Sequence, residues 1–99
     1  MITINPKGAK AWITFSYMPS TEVGSVAITG EWNNWEAELM RSKKDGSFYI
    51  RKYLPVGNSY EFRYLLDNKE WVNDETTAKV WNPFGTENSV LELAEEAIA

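Results

Sequence analysis

Apolar side chains recur at every second position in five stretches of this 99-residue chain. In "AKAWITFSY", Ala11, Ile13, Phe15 and Tyr17 share one face, and Trp12, Thr14 and Ser16 share the other. In "SVAITG", Val26 and Ile28 point one way, Ala27 and Thr29 the other. In "SFYIRKYL", Phe48, Ile50 and Leu54 align with Lys52 as the exception, opposite Tyr49, Arg51 and Tyr53. The clearest run is "YEFRYLLD", where Tyr60, Phe62, Tyr64 and Leu66 form an apolar face and Glu61, Arg63, Leu65 and Asp67 face away. "NSVLEL" sets Val90 and Glu92 against Leu91 and Leu93. A period of two is the signature of strands. Burying one large apolar side chain contributes about 1.5–3 kcal/mol, so a slip of one residue in such a run is costly.

Turn chemistry separates the runs. It falls at Asn5–Gly8, Pro19–Gly24, Lys43–Gly46, Pro55–Asn58, Asn73–Thr77 and Asn82–Gly85. Gly and Pro supply special backbone angles there, and Asn and Asp bond locally to the main chain. Short strands at such spacing predict an all-β fold, an antiparallel sandwich or barrel, and the length predicts a single domain over 1–99. The acidic tail over 94–99, "AEEAIA", has room for one helical turn but is too short to hold a helix unaided. One segment fits neither strand nor turn. "GEWNNWE", Gly30–Glu36, is too polar for the first and too aromatic for the second.

Composition narrows the function. Aromatic residues make up 14% of the chain, with five Trp and five Tyr, more than a small core readily holds, so some rings are expected at the surface. The net charge is −4, and Lys and Arg form no run beyond Lys43–Lys44, so nucleic acid is not an expected partner. Absence of Cys and His excludes thiolate and imidazole metal sites, thiol nucleophiles and Ser-His triads, and no cofactor is expected. The chain has no disulfide, no charged leader followed by an apolar run, and no apolar stretch of membrane-spanning length. A cytoplasmic protein that does not enter membranes is the expectation.

Among fourteen acidic residues no two stand out as a glycosidase pair, and a sandwich of this size offers no deep cleft, so no enzymatic activity is expected. Calcium would need more closely spaced oxygen ligands. Asp67 and Asp74 read as turn residues that accept backbone N–H groups. The tryptophans say more. Trp35, Trp71 and Trp81 lie at strand ends or in connections, where binding residues are displayed. Near them are Asn33, Asn34, Arg63, Asn82, Thr86 and Asn88. A flat ring beside amides, hydroxyls and a guanidinium suits a pyranose, with its apolar C–H face and rim of hydroxyls. On pattern alone, however, each ring reads first as a packing residue, and Trp12 stays unassigned.

The ordered set "VAITGEWNNWE", "DGSFYIRKYLPVGNSYEFRYLLDNKEW", "ND" and "NPFGTENSVLEL" resembles carbohydrate-binding module family 48, the isoamylase N-terminal or early set type. It is similar to the glycogen-binding domain of the AMP-activated protein kinase beta subunit. The resemblance runs from about residue 10 to 93. It implies an immunoglobulin-like antiparallel β-sandwich that binds alpha-1,4-glucans such as glycogen, starch or maltooligosaccharides without catalysis. It implies Trp35 and Trp71 as stacking platforms, Arg63, Thr86 and Asn88 as hydroxyl partners, and Phe84 as an apolar contact; Trp32 becomes core. Trp81 is an addition argued from position only. Asn68 stands where Gly is usual, in a turn one residue longer than expected. Arg63 stands for the Lys of the kinase domain and Phe84 for a smaller Leu, which leaves linear against cyclic glucans open. A second reading makes the same aromatic face a protein-interaction surface, docking on a glycogen- or starch-metabolising enzyme or on a second copy of the chain; oligomeric state is open.

Overall fold

The period-two runs become the long strands of a computed structural model that describes residues 1–93; the tail over 94–99 lies outside the described residues. In chain order the strands are β1 (Ile2–Lys7), β2 (Lys10–Tyr17), β3 (Val26–Gly30), β4 (Glu38–Leu39), β5 (Arg41–Ser42), β6 (Phe48–Pro55), β7 (Asn58–Leu66), β8 (Glu70–Val72), β9 (Ala78–Trp81) and β10 (Glu87–Leu93). One sheet has the order β1-β2-β6-β5; the other runs β4-β3-β7-β10-β9, with β8 added beside the end of β7. Every pairing is antiparallel. The two sheets face each other as an immunoglobulin-like β-sandwich, as expected. Among the described residues no helix is long and apolar enough to cross a membrane.

The core comes from the inward faces read off the sequence. Ile13, Phe15, Val26, Ile28, Phe62 and Tyr64 are fully buried, with Leu54, Leu66, Leu91 and Leu93 nearly so. Phe15 packs edge-on to Phe62 at 5.2 Å, and Phe62 edge-on to Tyr64 at 5.7 Å, so aromatic contacts span the two sheets. Lys52, the break in β6's apolar face, reaches the Glu38 carboxylate at 2.7 Å. Partial burial alone would raise that carboxyl, but bonds from Lys52 and Asn33 hold it below its usual range.

Two expectations need correction. The first turn is not at Asn5–Gly8. Asn5 and Pro6 belong to β1, and the reversal is at Gly8–Ala9, where Gly8 has φ 71°. The segment reads as non-strand because β1 is a sheet edge, largely exposed, where Pro costs no ladder bond. The second concerns charge. Lys and Arg look scattered along the sequence, yet β1, β2, β5 and β6 carry five of them and no Asp or Glu. Folding segregates charge that the sequence spreads.

Asp74, 1% exposed, ties the β8–β9 connection to the core. Its Oδ2 accepts from the Tyr64 hydroxyl at 2.8 Å and the Met1 ammonium at 2.7 Å, and its Oδ1 accepts from the Thr76 N–H at 2.8 Å. Its own N–H donates to Ser89 Oγ at 2.8 Å. Burial pushes the Asp74 carboxyl up, but the ammonium, Thr76 and Tyr64 bonds outweigh it and hold the group below the usual carboxylate range. Burial, together with the Asp74 charge, drives the Tyr64 phenol far up, so it remains a donor. A lowered native pKa means the stability from Asp74 is fully present above about pH 3.9 and is lost as pH falls through the native value. Asp74→Asn should therefore cost about 2–3 kcal/mol at neutral pH and much less near pH ~2. Urea unfolding at both pH values checks this, and an equal loss at both would contradict it.

Candidate functional site

The outward face of β7 is the floor of a groove. Alternation that buries Phe62, Tyr64 and Leu66 turns Glu61 and Arg63 outward, while Leu65, expected to face away with them, is itself buried. Antiparallel pairing lays Trp71 of β8 opposite Leu65, on the same face two residues from Arg63. The Arg63 guanidinium sits 4.9 Å from the centre of the Trp71 ring, a cation–π contact that orients both. The turn that delivers Trp71 places Asp67 at φ 49° and Asn68 at φ 59°. Asn tolerates the left-handed region well, so Asn68 can do what the usual Gly does. Asp67 Oδ1 accepts from the Gly24 and Ser25 N–H groups at 2.7 and 3.0 Å, which pins this turn to the β2–β3 connection.

"GEWNNWE" gives its two tryptophans different environments. Gly30–Asn33 enters a short 3-10 turn. The Trp32 ring folds back over Gly30 and packs on Phe15 at 5.1 Å and Phe62 at 6.0 Å. A Cβ on residue 30 would lie 2.7 Å from that indole, which is why the position is Gly. Asn33 is structural too. Its Oδ1 accepts from Gly30 N–H at 3.1 Å, and its Nδ2 donates to Glu38 at 2.7 Å. The chain then leaves through two left-handed residues, Asn34 at φ 57° and Trp35 at φ 63°. A bulky residue at positive φ is a true outlier, and such strain gathers at functional positions. It leaves Trp35 40% exposed.

The Asn82–Gly85 loop forms the far wall. Asn82 accepts from the Phe84 and Thr86 N–H groups at 3.0 and 3.2 Å and donates to Thr86 Oγ1 at 2.7 Å and Asn88 Oδ1 at 3.1 Å. These bonds project Phe84, 88% exposed, into solvent.

Together these elements enclose an open groove of about 540 Å³, lined by Glu31, Trp35, Glu61, Arg63, Trp71, Asn82, Pro83, Phe84 and Asn88. Five of the six residues expected from sequence, Trp35, Arg63, Trp71, Phe84 and Asn88, meet here. Thr86 does not line the groove; its hydroxyl braces Asn82. Asn88 lines it but is 6% exposed, with its amide donating to Glu61 at 2.9 Å. Trp81, 73% exposed, pairs with Glu87 while Val80 pairs with Asn88, so register sends its ring to the opposite face of the sheet. Glu31 and Glu61 were missed. The outward phase of β7 marked Glu61 beside Arg63, but nothing local marked Glu31. Each spends one oxygen structurally, Glu31 on the Glu61 N–H at 2.8 Å and Glu61 on Asn88. Arg63 Nε is buried and meets no acceptor among the described residues. The groove thus offers ring faces, carboxylate acceptors and a free guanidinium donor, the inventory for a neutral polyhydroxylated ligand. Among the described residues no cluster of three or more His, Cys, Asp or Glu could hold a metal ion.

The family model described as the glycogen recognition site of AMP-activated protein kinase matches residues 13–99. The chain belongs to this family. In this member of the glycogen recognition family, the match covers all the groove residues and leaves β1 outside. No curated protein matches the chain.

The contact between Gly30 and Trp32 is testable. Gly30→Ala should displace the indole and cost about 1–3 kcal/mol, a fall of at least about 4 °C in thermal midpoint for a domain of this size. An unchanged midpoint would show that the Trp32 ring does not need the space.

Proposed function

We propose that the protein binds alpha-1,4-linked glucan chains in the groove, without cleaving them. The observation that carries this reading is the convergence of Trp35, Trp71 and Arg63, from three separate segments, on one open face. The two exposed indoles stack on the C–H faces of glucose units, and Phe84 covers a further apolar edge. Arg63, which forms no ion pair among the described residues, donates to sugar hydroxyls through its terminal guanidinium nitrogens. Glu31 and Glu61 accept hydrogen bonds from sugar hydroxyls with their remaining oxygens. Asn88 acts chiefly by setting the position of Glu61, and Thr86 by holding the loop that carries Phe84. Membership of a family described as a glycogen recognition site supports this choice of ligand.

The groove is shallow, so affinity is weak, on the order of micromolar to millimolar. Openness also argues against hydrolysis. A general acid needs a carboxyl shielded from water, and Glu31 is exposed.

Glycogen in a native gel should retard the protein, and Trp35→Ala and Trp71→Ala should each abolish retardation. Neither variant should shift the thermal midpoint by more than a few degrees, because both rings are about half exposed. Unretarded wild-type protein would sink the proposal, and reducing sugar released from glycogen would sink its non-catalytic part.

A further inference from the structure

The other sheet carries a second aromatic surface that the groove does not use. On the outer face of β2 and β6, Trp12 stacks on Tyr53 with ring centres 4.7 Å apart and planes 28° apart. Arg51 lies 4.6 Å from the Trp12 ring, and Lys10 lies 5.2 Å from the Tyr53 ring. Register adds Lys7, opposite Lys10, and Arg41, opposite Tyr49, to the same face. All four cations and Tyr53 are exposed, and Trp12 is half-buried.

We infer that the outer face of this four-stranded sheet is a docking surface for an acidic segment of a partner protein. Its charge is one-sided. The chain carries a net −4, yet the four strands hold no acidic residue, and none of these four cations forms an ion pair among the described residues. Such a face repels cations and steers carboxylates. Its centre is built from Trp, Tyr and Arg, the residue types that dominate binding energy at protein interfaces.

Two other ligands fit less well. A sugar or a nucleobase needs a free ring face, and here the rings lie against each other and against the cations. The edges of the stack and the N–H donors of Lys10 and Arg51 are what remain, and these suit carboxylates on a polypeptide. The face is one sheet wide, so binding is weak and sensitive to salt. It lies on the sheet opposite the groove, so both surfaces can be occupied together.

The test uses the full chain and a synthetic poly-Glu peptide at low salt, followed by backbone amide NMR. The peptide should shift amides within Lys10–Ser16 and Tyr49–Tyr53, leave Arg63 and Trp71 in place, and lose its effect in 0.5 M salt (about a 4 Å Debye length). Lys10→Glu with Arg51→Glu should weaken the peptide about tenfold or more and leave retardation by glycogen unchanged. Should that double variant fold poorly, Arg51→Gln keeps the stem over Trp12 and should still weaken binding. No shift, or shifts confined to the groove, would overturn the inference. So would tighter binding of oligo-dT to the same face, or a dimer in sedimentation with these amides protected.

Discussion

The structure depends on the register of one strand. β7 contributes Phe62, Tyr64 and Leu66 to the core and, from the alternate positions, Glu61 and Arg63 to the groove. It pairs with β3 along one side and with β10 and β8 along the other, so its phase also sets where Asn88 and Trp71 lie. A slip of one residue would drive Arg63 into the core and expose two aromatic rings. The hydrophobic energy that forms the sandwich is therefore what positions the binding face, and site and core cannot be shifted independently.

The tryptophans that flank this floor are delivered by strained connections. Asn34 and Trp35, and again Asp67 and Asn68, hold consecutive left-handed residues. Each pair is anchored by hydrogen bonds to residues outside it. Trp35 N–H donates to Gly30 O at 2.9 Å, and Asp67 binds the β2–β3 connection. Trp32 fixes the first connection from inside, on the space that Gly30 leaves. Rings held in this way lose little freedom when a ligand arrives, which favours binding by a shallow site.

Much of this was legible in the sequence, because period-two alternation is a direct consequence of strand geometry. The long strands, the inward faces and the different fates of Trp32 and Trp35 followed from it or from the family resemblance. What escaped depends on chain segments meeting in space. The family resemblance implied Thr86 as a hydroxyl partner, but its hydroxyl accepts from Asn82, four residues before it. Trp81 looked like an added platform until pairing with Glu87 fixed its face. Glu31 is next to Glu61 only through the β3–β7 pairing. The basic face drew no attention because Lys7, Lys10, Arg41 and Arg51 are spread over four strands, and only sheet order gathers them. β1 was hidden by its Pro, which an edge strand accepts.

The molecule is thus two-sided, with a groove of rings and free hydrogen-bonding groups on one sheet and a basic aromatic stack on the other. The most direct test of the central claim follows the five tryptophan indole N–H signals in a 1H–15N spectrum during titration with maltoheptaose. Glucan seated in the groove should move the signals of Trp35 and Trp71 together with Arg63 Nε–H, while those of Trp12, Trp32 and Trp81 stay in place. Movement of Trp12 or Trp81 instead, or no movement at all, would contradict that claim.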